Sequence, residues 1–182
     1  MKSVSGNRVQ RQPFELLLDQ RQISRRIEEL GKQITADYQG ESLFLLGMLK
    51  GCIVFMADLM RQIKLDVEID FLSTPKEHTG LEGETDISFA SGLTPVLQDR
   101  HVLIVEGIVD TGRTASLLLK KLRKMGPASV EIVTLLDKPG SHREKLDIKY
   151  KGFSIGNDFV IGFGLDNMQR FRNLPSIGRV ID

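Results

Sequence analysis

The chain has no tryptophan, only two tyrosines, and a single cysteine, Cys52. One cysteine excludes an internal disulfide framework, so a hydrophobic core has to hold the fold. No apolar run approaches the ~20 residues that a bilayer-spanning helix needs. Charge of one sign is also missing: 25 Lys and Arg face 24 Asp and Glu, for a net charge of +1. Nothing in that total suggests a general nucleic-acid binder, although local basic groups could still serve a small anionic ligand. The three histidines, His78, His101 and His142, show no metal-ligand spacing and read as surface or loop residues. Cys52 reads as a small packed residue.

The 182 residues suffice for one domain with a substantial core, and 41% hydrophobic with 27% charged residues is an ordinary globular balance. The first residues, MKSVSGNRVQRQP, are polar, and the expectation is a cytoplasmic protein with no membrane partner.

Ile23, Ile27, Leu30 and Ile34 recur at helical spacing and predict an amphipathic helix over 19–38. Residues 42–48 (SLFLLGM) predict a buried strand, followed by a turn at 49–52 and a helix from Ile53 to Ile63. Leu65, Val67, Ile69 and Phe71 alternate with polar residues, the pattern of a half-buried strand. Residues 73–86 are polar and long for a connection, a length typical of lids and binding loops. Strands are predicted at 101–106, 130–136 and 158–163, with a helix at 114–125 stopped by Gly126-Pro127. The basic stretch Lys120, Lys121, Arg123 and Lys124 reads as the solvated face of that helix. Strand, helix, strand in repetition predicts an α/β fold with a parallel sheet. Ligands sit beyond the carboxyl ends of such strands, which singles out the turn at 49–52, the turn at 107–113 and the residues after 136.

In VLIVEGIVDTGRTAS, residues 102–116, a buried strand runs through a glycine turn into a helix. A helix N-terminus offers unpaired N–H groups and partial positive charge, Gly112 permits close approach, and Thr111, Arg113 and Thr114 add donors. Read alone, the stretch is equally a phosphate cradle or a helix capped by Asp110 or Thr111. It also comes within one residue of the P-loop pattern, and Asp137 after an apolar strand imitates that fold's magnesium motif. Arg113 stands where the P-loop needs lysine, however, and Glu106 and Asp110 would put negative charge beside a polyphosphate. Acidic residues beside a phosphate cradle suit a sugar phosphate instead, whose hydroxyls they can bind.

This stretch resembles the 5-phosphoribosyl-1-pyrophosphate (PRPP) signature of the type I phosphoribosyltransferases. Within them the chain is similar to the bacterial hypoxanthine-guanine enzymes over roughly residues 15–180. The shared segments are LKG at 49–51, VLIVEGIVDTGRT at 102–114, LLDKP at 135–139, FVIGFGLD at 159–166 and FRNLP at 171–175. The resemblance implies a single domain with its core at about 38–150, a small hood built from the terminal segments and a lid at about 73–92. It implies transfer of the phosphoribosyl group from PRPP to hypoxanthine or guanine, giving IMP or GMP and pyrophosphate. Asp110 would be the catalytic base, and Asp110, Thr111, Gly112, Arg113 and Thr114 would hold the 5′-phosphate. Lys50 and Gly51 would bind pyrophosphate with help from Arg172. Lys138 would bind the purine 6-oxo group, Phe159 would stack on the ring, and Val160 would meet its pyrimidine edge. Glu106 would hold ribose hydroxyls or magnesium-bound water, and Asp166 would lie near a second Mg2+ or the purine edge. A homodimer or homotetramer is implied, with no nucleic acid bound.

Two departures touch the site. The family usually has an acidic pair where this chain has Glu106-Gly107, so one ribose or magnesium contact is missing. Residues 73–75 read Ser-Thr-Pro where a Ser-Tyr pair is usual in the lid. These departures keep a second reading open, a non-catalytic regulator that senses PRPP or a nucleotide.

Overall fold

A computed structural model describes residues 13–73, 88–92 and 95–181. Helix α1 (Gln20–Asp37) buries Ile23, Ile27, Leu30 and Ile34, the four residues that predicted it. Each is worth roughly 1.5–3 kcal/mol of transfer free energy when fully buried. Asp19 starts the helix: its carboxylate accepts from the Gln22 N–H, and the Gln22 side chain accepts from the Asp19 N–H. Helix α2 (Ile53–Gln62) follows the predicted turn and packs against α1.

These helices cover one face of a six-stranded sheet. Its members are β2 (Leu43–Met48), β3 (Val67–Ser73), β4 (Ser88–Phe89), β5 (His101–Val109), β6 (Ser129–Asp137) and β7 (Tyr150–Ser154). Their order is β4-β3-β2-β5-β6-β7, and only β4 runs antiparallel to its neighbour. Along β2 and β5 the side chains sort with period two. Leu43, Leu45, Leu103 and Val105 join the α1–α2 core, while Phe44, Leu46, Val102 and Ile104 meet Leu118 and Leu122 of helix α3 (Arg113–Arg123) on the other face. Burial on both faces is why β2 reads as an unbroken apolar run.

Three expectations are corrected. The alternation on β3 is only partly realised: Ile69 stays 43% exposed and Leu72 is fully buried. Among the described residues, strand β4 pairs with β3 at Leu72 and Ser73, and the Ala90 N–H donates to the Phe71 carbonyl just beyond. The strand expected at 101–106 continues to Val109, because pairing with β6 persists through Val109 and Asp137. The strand expected at 158–163 shrinks to β8 (Val160–Ile161) and leaves the parallel sheet. Positive φ at Gly162, Phe163 and Gly164 ends it. Instead β8 pairs with β9 (Ile177–Val180), which pairs with β1 (Phe14–Leu18), in a separate antiparallel sheet. This small sheet is the hood expected from the terminal segments. Most of the expected lid, residues 74–87, lies outside the described residues, as does His78.

Candidate active site

The carboxyl ends of β2, β5 and β6 deliver the three segments expected there. A cavity of about 250 Å3 opens between the first two. Its lining includes Leu49 and Gly51 after β2, Glu106, Gly107 and Asp110 along β5 and its turn, and Thr111, Gly112 and Thr114 leading into α3. Gly51, Glu106, Asp110, Thr111, Gly112 and Thr114 are thus brought together as the sequence predicted. Arg113 is different: it opens α3, is exposed and does not line the cavity.

At the turn, Gly112 rather than Asp110 or Thr111 stands at the cap position of α3. Gly112 is the first flanking residue of α3, at φ 77°, a left-handed conformation that a side chain would strain. Among the described residues no side chain caps this helix: neither Asp110 nor Thr111 bonds to its first turn. The leading N–H groups therefore stay available beside the cavity, together with the positive end of the helix. The segment after β6 buttresses the turn. Lys138 N–H donates to the Val109 carbonyl at 2.9 Å and Arg143 N–H donates to the Thr111 carbonyl at 3.0 Å.

Lys138 reaches the same place. Its ammonium donates to Asp110 Oδ2 at 3.0 Å, and its side chain is 7% exposed against 50% for Asp110. Glu106 has no hydrogen bond or ion pair among the described residues. Enclosure by protein raises its pKa from 4.5 to about 8. The same burial, with the Glu106 carboxylate nearby, pushes the Cys52 thiol up to about 12. An enclosed, unpartnered carboxylate facing a cavity fits a cation brought in with a substrate. No group of three or more potential metal ligands exists among the described residues. Mg2+ suits such a site, since it is usually held by one or two carboxylates plus substrate oxygens.

Asp166, Lys50 and Arg172 form a second cluster. Arg172 Nη2 forms an ion pair with Asp166 Oδ1 at 2.6 Å, and its Nη1 donates to the Gly164 carbonyl at 2.7 Å. Asp166 also accepts from the Gln169 N–H at 2.8 Å. The Gln169 side-chain oxygen lies 3.3 Å from Arg172 Nη2 and 3.4 Å from Lys50 Nζ. Gln169 was missed by sequence reasoning, because only the fold brings it between two cations distant in sequence. The Leu49–Lys50 peptide is cis. Phe159 and Val160 stand apart in the hood: Phe159 is 54% exposed, and its carbonyl accepts from the Val180 N–H at 2.8 Å.

His142 is a loop residue, as expected, but one turned towards a buried acid. It follows a single 3-10 turn (Pro139–Ser141), its side chain is 16% exposed, and its Nε2 lies 2.7 Å from Asp137 Oδ1. Only a buried acid ending β6 could have hinted at such a partner.

A strand–turn–helix segment with free N–H groups, and an acid and a lysine meeting at its edge, places a candidate anion site at the carboxyl end of a parallel sheet, the arrangement of an α/β ligand-binding domain. The phosphoribosyl transferase domain matches residues 14–167, and the chain belongs to that family. It is 41% identical over 170 residues to the hypoxanthine phosphoribosyltransferase of Haemophilus influenzae, covering 92% of this chain and 95% of that one. The Escherichia coli protein of the same name is 39% identical over 169 residues, with the same coverage. Among solved structures, a hypoxanthine phosphoribosyltransferase from Staphylococcus aureus superposes with a TM-score of 0.84 at 39% identity, over 92% of this chain and 91% of that one.

Proposed function

We propose that this chain transfers the 5-phosphoribosyl group of PRPP to hypoxanthine or guanine, forming IMP or GMP and pyrophosphate. The observation that carries the reading is the meeting of Asp110 and Lys138, at 3.0 Å, beside an uncapped helix N-terminus. The 5′-phosphate is read onto the N–H groups that open α3, with the hydroxyls of Thr111 and Thr114 as further donors. Arg113, exposed beside the turn, contributes charge to this site rather than a wall of the cavity.

In the ground state Lys138 and Asp110 satisfy each other. An arriving 6-oxopurine offers each a new partner: its oxo group accepts from Lys138, and its imidazole N–H faces Asp110. The ring nitrogen forms a bond to the ribose anomeric carbon as the bond to pyrophosphate breaks, with the electron pair leaving on pyrophosphate. The proton of that nitrogen passes to the Asp110 carboxylate. Lys50, and Arg172 once it exchanges Asp166 for the leaving group, offset the charge on pyrophosphate. Mg2+, when bound, supplies further charge neutralisation there. Glu106, unpartnered in its cavity, would hold it; Asp166 would join only by giving up its contact with Arg172. Phe159, exposed in the hood, offers an aromatic face for the purine, and Val160 offers backbone groups for its edge.

A cytoplasmic location fits a lone, buried, unpaired Cys52, and no helix among the described residues is long and apolar enough to cross a membrane. A homodimer or homotetramer remains part of the reading, and sedimentation velocity tests it. None of the described features calls for a regulator in place of an enzyme.

The deciding experiment is a magnesium-dependent assay of PRPP with hypoxanthine, guanine and xanthine, with Asp110→Asn in parallel. The expected result is base-dependent pyrophosphate release, with kcat reduced about 10^2-fold or more in Asp110→Asn. No turnover by a protein that still binds PRPP would overturn the salvage reading.

A further inference from the structure

Asp137 is a fully buried carboxylate that the reaction above does not use. Its Oδ1 lies 2.7 Å from His142 Nε2, and its Oδ2 lies 2.6 Å from Lys151 Nζ on the neighbouring strand β7, contacts at ion-pair distance without hydrogen-bond alignment. Its main-chain carbonyl accepts from the Ile155 N–H at 2.9 Å. Removing a carboxylate from water without compensation costs several kcal/mol, so a buried acid persists only with such partners. Lys138 is the next residue in the chain. The loop that carries it leaves at Asp137, makes one 3-10 turn and returns with His142 to the same carboxylate. The contact thus closes a short ring with Lys138 inside it, while Lys151 ties that ring to the sheet.

We propose that Asp137, gripped by His142 and Lys151, is the positioning clamp that aims Lys138 into the purine site. This inference rests on the reading of Lys138 as the purine-binding cation. The clamp has two effects. It fixes the backbone from which Lys138 projects, and it occupies the Asp137 charge, so that Asp110 is left as the acidic partner of Lys138. Releasing it should move the lysine relative to the 6-oxo group while leaving the phosphate turn in place. A positional error of about 1 Å in such a group costs up to ~10^2-fold. The loss should therefore fall on the base and spare PRPP.

His142→Gln, Lys151→Met and Lys151→Arg test this, with Asp137→Asn as the harsher variant that removes the shared acid. Two readouts apply to the full chain: steady-state kinetics for each substrate, and hydrogen exchange at the Lys138 amide, which bonds to the Val109 carbonyl. In His142→Gln and Lys151→Met the KM for hypoxanthine should rise about five- to twentyfold. The kcat and the KM for PRPP should stay within about twofold, and exchange at Lys138 should speed up. Lys151→Arg, which keeps the charge, should restore wild-type behaviour. Unchanged exchange and base KM in both single variants would overturn the clamp, as would a parallel loss of kcat and of both KM values that tracks melting temperature. Wild-type protein without turnover would sink the salvage reading alone, and the exchange measurement would still decide whether the clamp exists.

Discussion

Replacing Gly107 tests the packing around the cavity more sharply than any catalytic substitution. By family likeness this glycine stands where an acid is usual, so Gly107→Asp should look like a repair. The structure argues the opposite. A Cβ on residue 107 would lie 2.6 Å from the Gly51 carbonyl oxygen, 2.9 Å from the Gly51 carbonyl carbon and 3.3 Å from Leu165 Cδ2. The first two are main-chain atoms of the turn after β2 and cannot swing aside as a side chain does. Reaching ordinary contact at about 3.4 Å means moving that backbone by several tenths of an ångström. Overpacking of this kind costs about 1–3 kcal/mol, which for a chain of this size lowers Tm by about 3–10 °C. Because the displaced turn carries Lys50 and Gly51, the KM for PRPP should rise about fivefold or more. Gly107→Ala isolates the steric part, and Gly107→Asp adds the carboxylate at the same Cβ. Differential scanning calorimetry and PRPP titration of both variants give the answer. A Gly107→Asp protein of wild-type Tm with tighter PRPP binding would refute the reasoning. Gly164 supplies an internal check. Its Cβ would lie 2.5 Å from the same Gly51 oxygen and its φ is +95°, so Gly164→Ala and Gly107→Ala should couple rather than add.

Glu106 makes stability depend on pH in a defined direction. Its pKa is 4.5 in the unfolded chain and about 8 when folded, so between these values the folded protein holds a proton that the unfolded chain has released. Stability then falls as pH rises through that window and is lowest above about pH 8. The shift sets an upper bound of about 5 kcal/mol, which contact with cavity water reduces to about 1–2 kcal/mol. Glu106→Gln in metal-free buffer should raise Tm by about 3–6 °C at pH 8 and leave it unchanged at pH 4; an equal gain at both pH values would sink the attribution. Cys52, buried at the start of α2 with its pKa near 12, holds roughly one part in 10^4 as thiolate at pH 8. Iodoacetamide should leave it unmodified in the native protein and label it fully in urea, and rapid native labelling would contradict the packing.

What the sequence made legible was whatever depends on neighbours along the chain. The helix that became α1 was readable because Ile23, Ile27, Leu30 and Ile34 repeat with the helical period, and β2 because a strand covered on both faces is apolar throughout. The phosphate turn was readable because its donors lie within a few residues of one another. β8 was misread because an apolar run does not say which sheet it will join; the left-handed backbone at 162–164 decides that. The weak alternation on β3 likewise depends on how far β4 extends along it, which residues 67–73 do not encode by themselves.

The site divides along the same line. Chemistry borne by one residue type could be assigned from its motif, whereas the state of each group depends on partners across space. Asp110 and Lys138 are 28 positions apart and meet only because β5 and β6 are adjacent and end together. Glu106 was legible as an acid beside the turn, whereas its raised pKa comes from enclosure, which the sequence does not state. Gly107 reads as a lost carboxylate until the Gly51 carbonyl is found in the space such a side chain would need. The same holds for His142, whose lack of metal-ligand spacing said nothing about the buried acid it contacts. In each case the residue supplies a capacity, and the ends of three parallel strands decide whether a proton, a cation or a neighbouring backbone makes use of it.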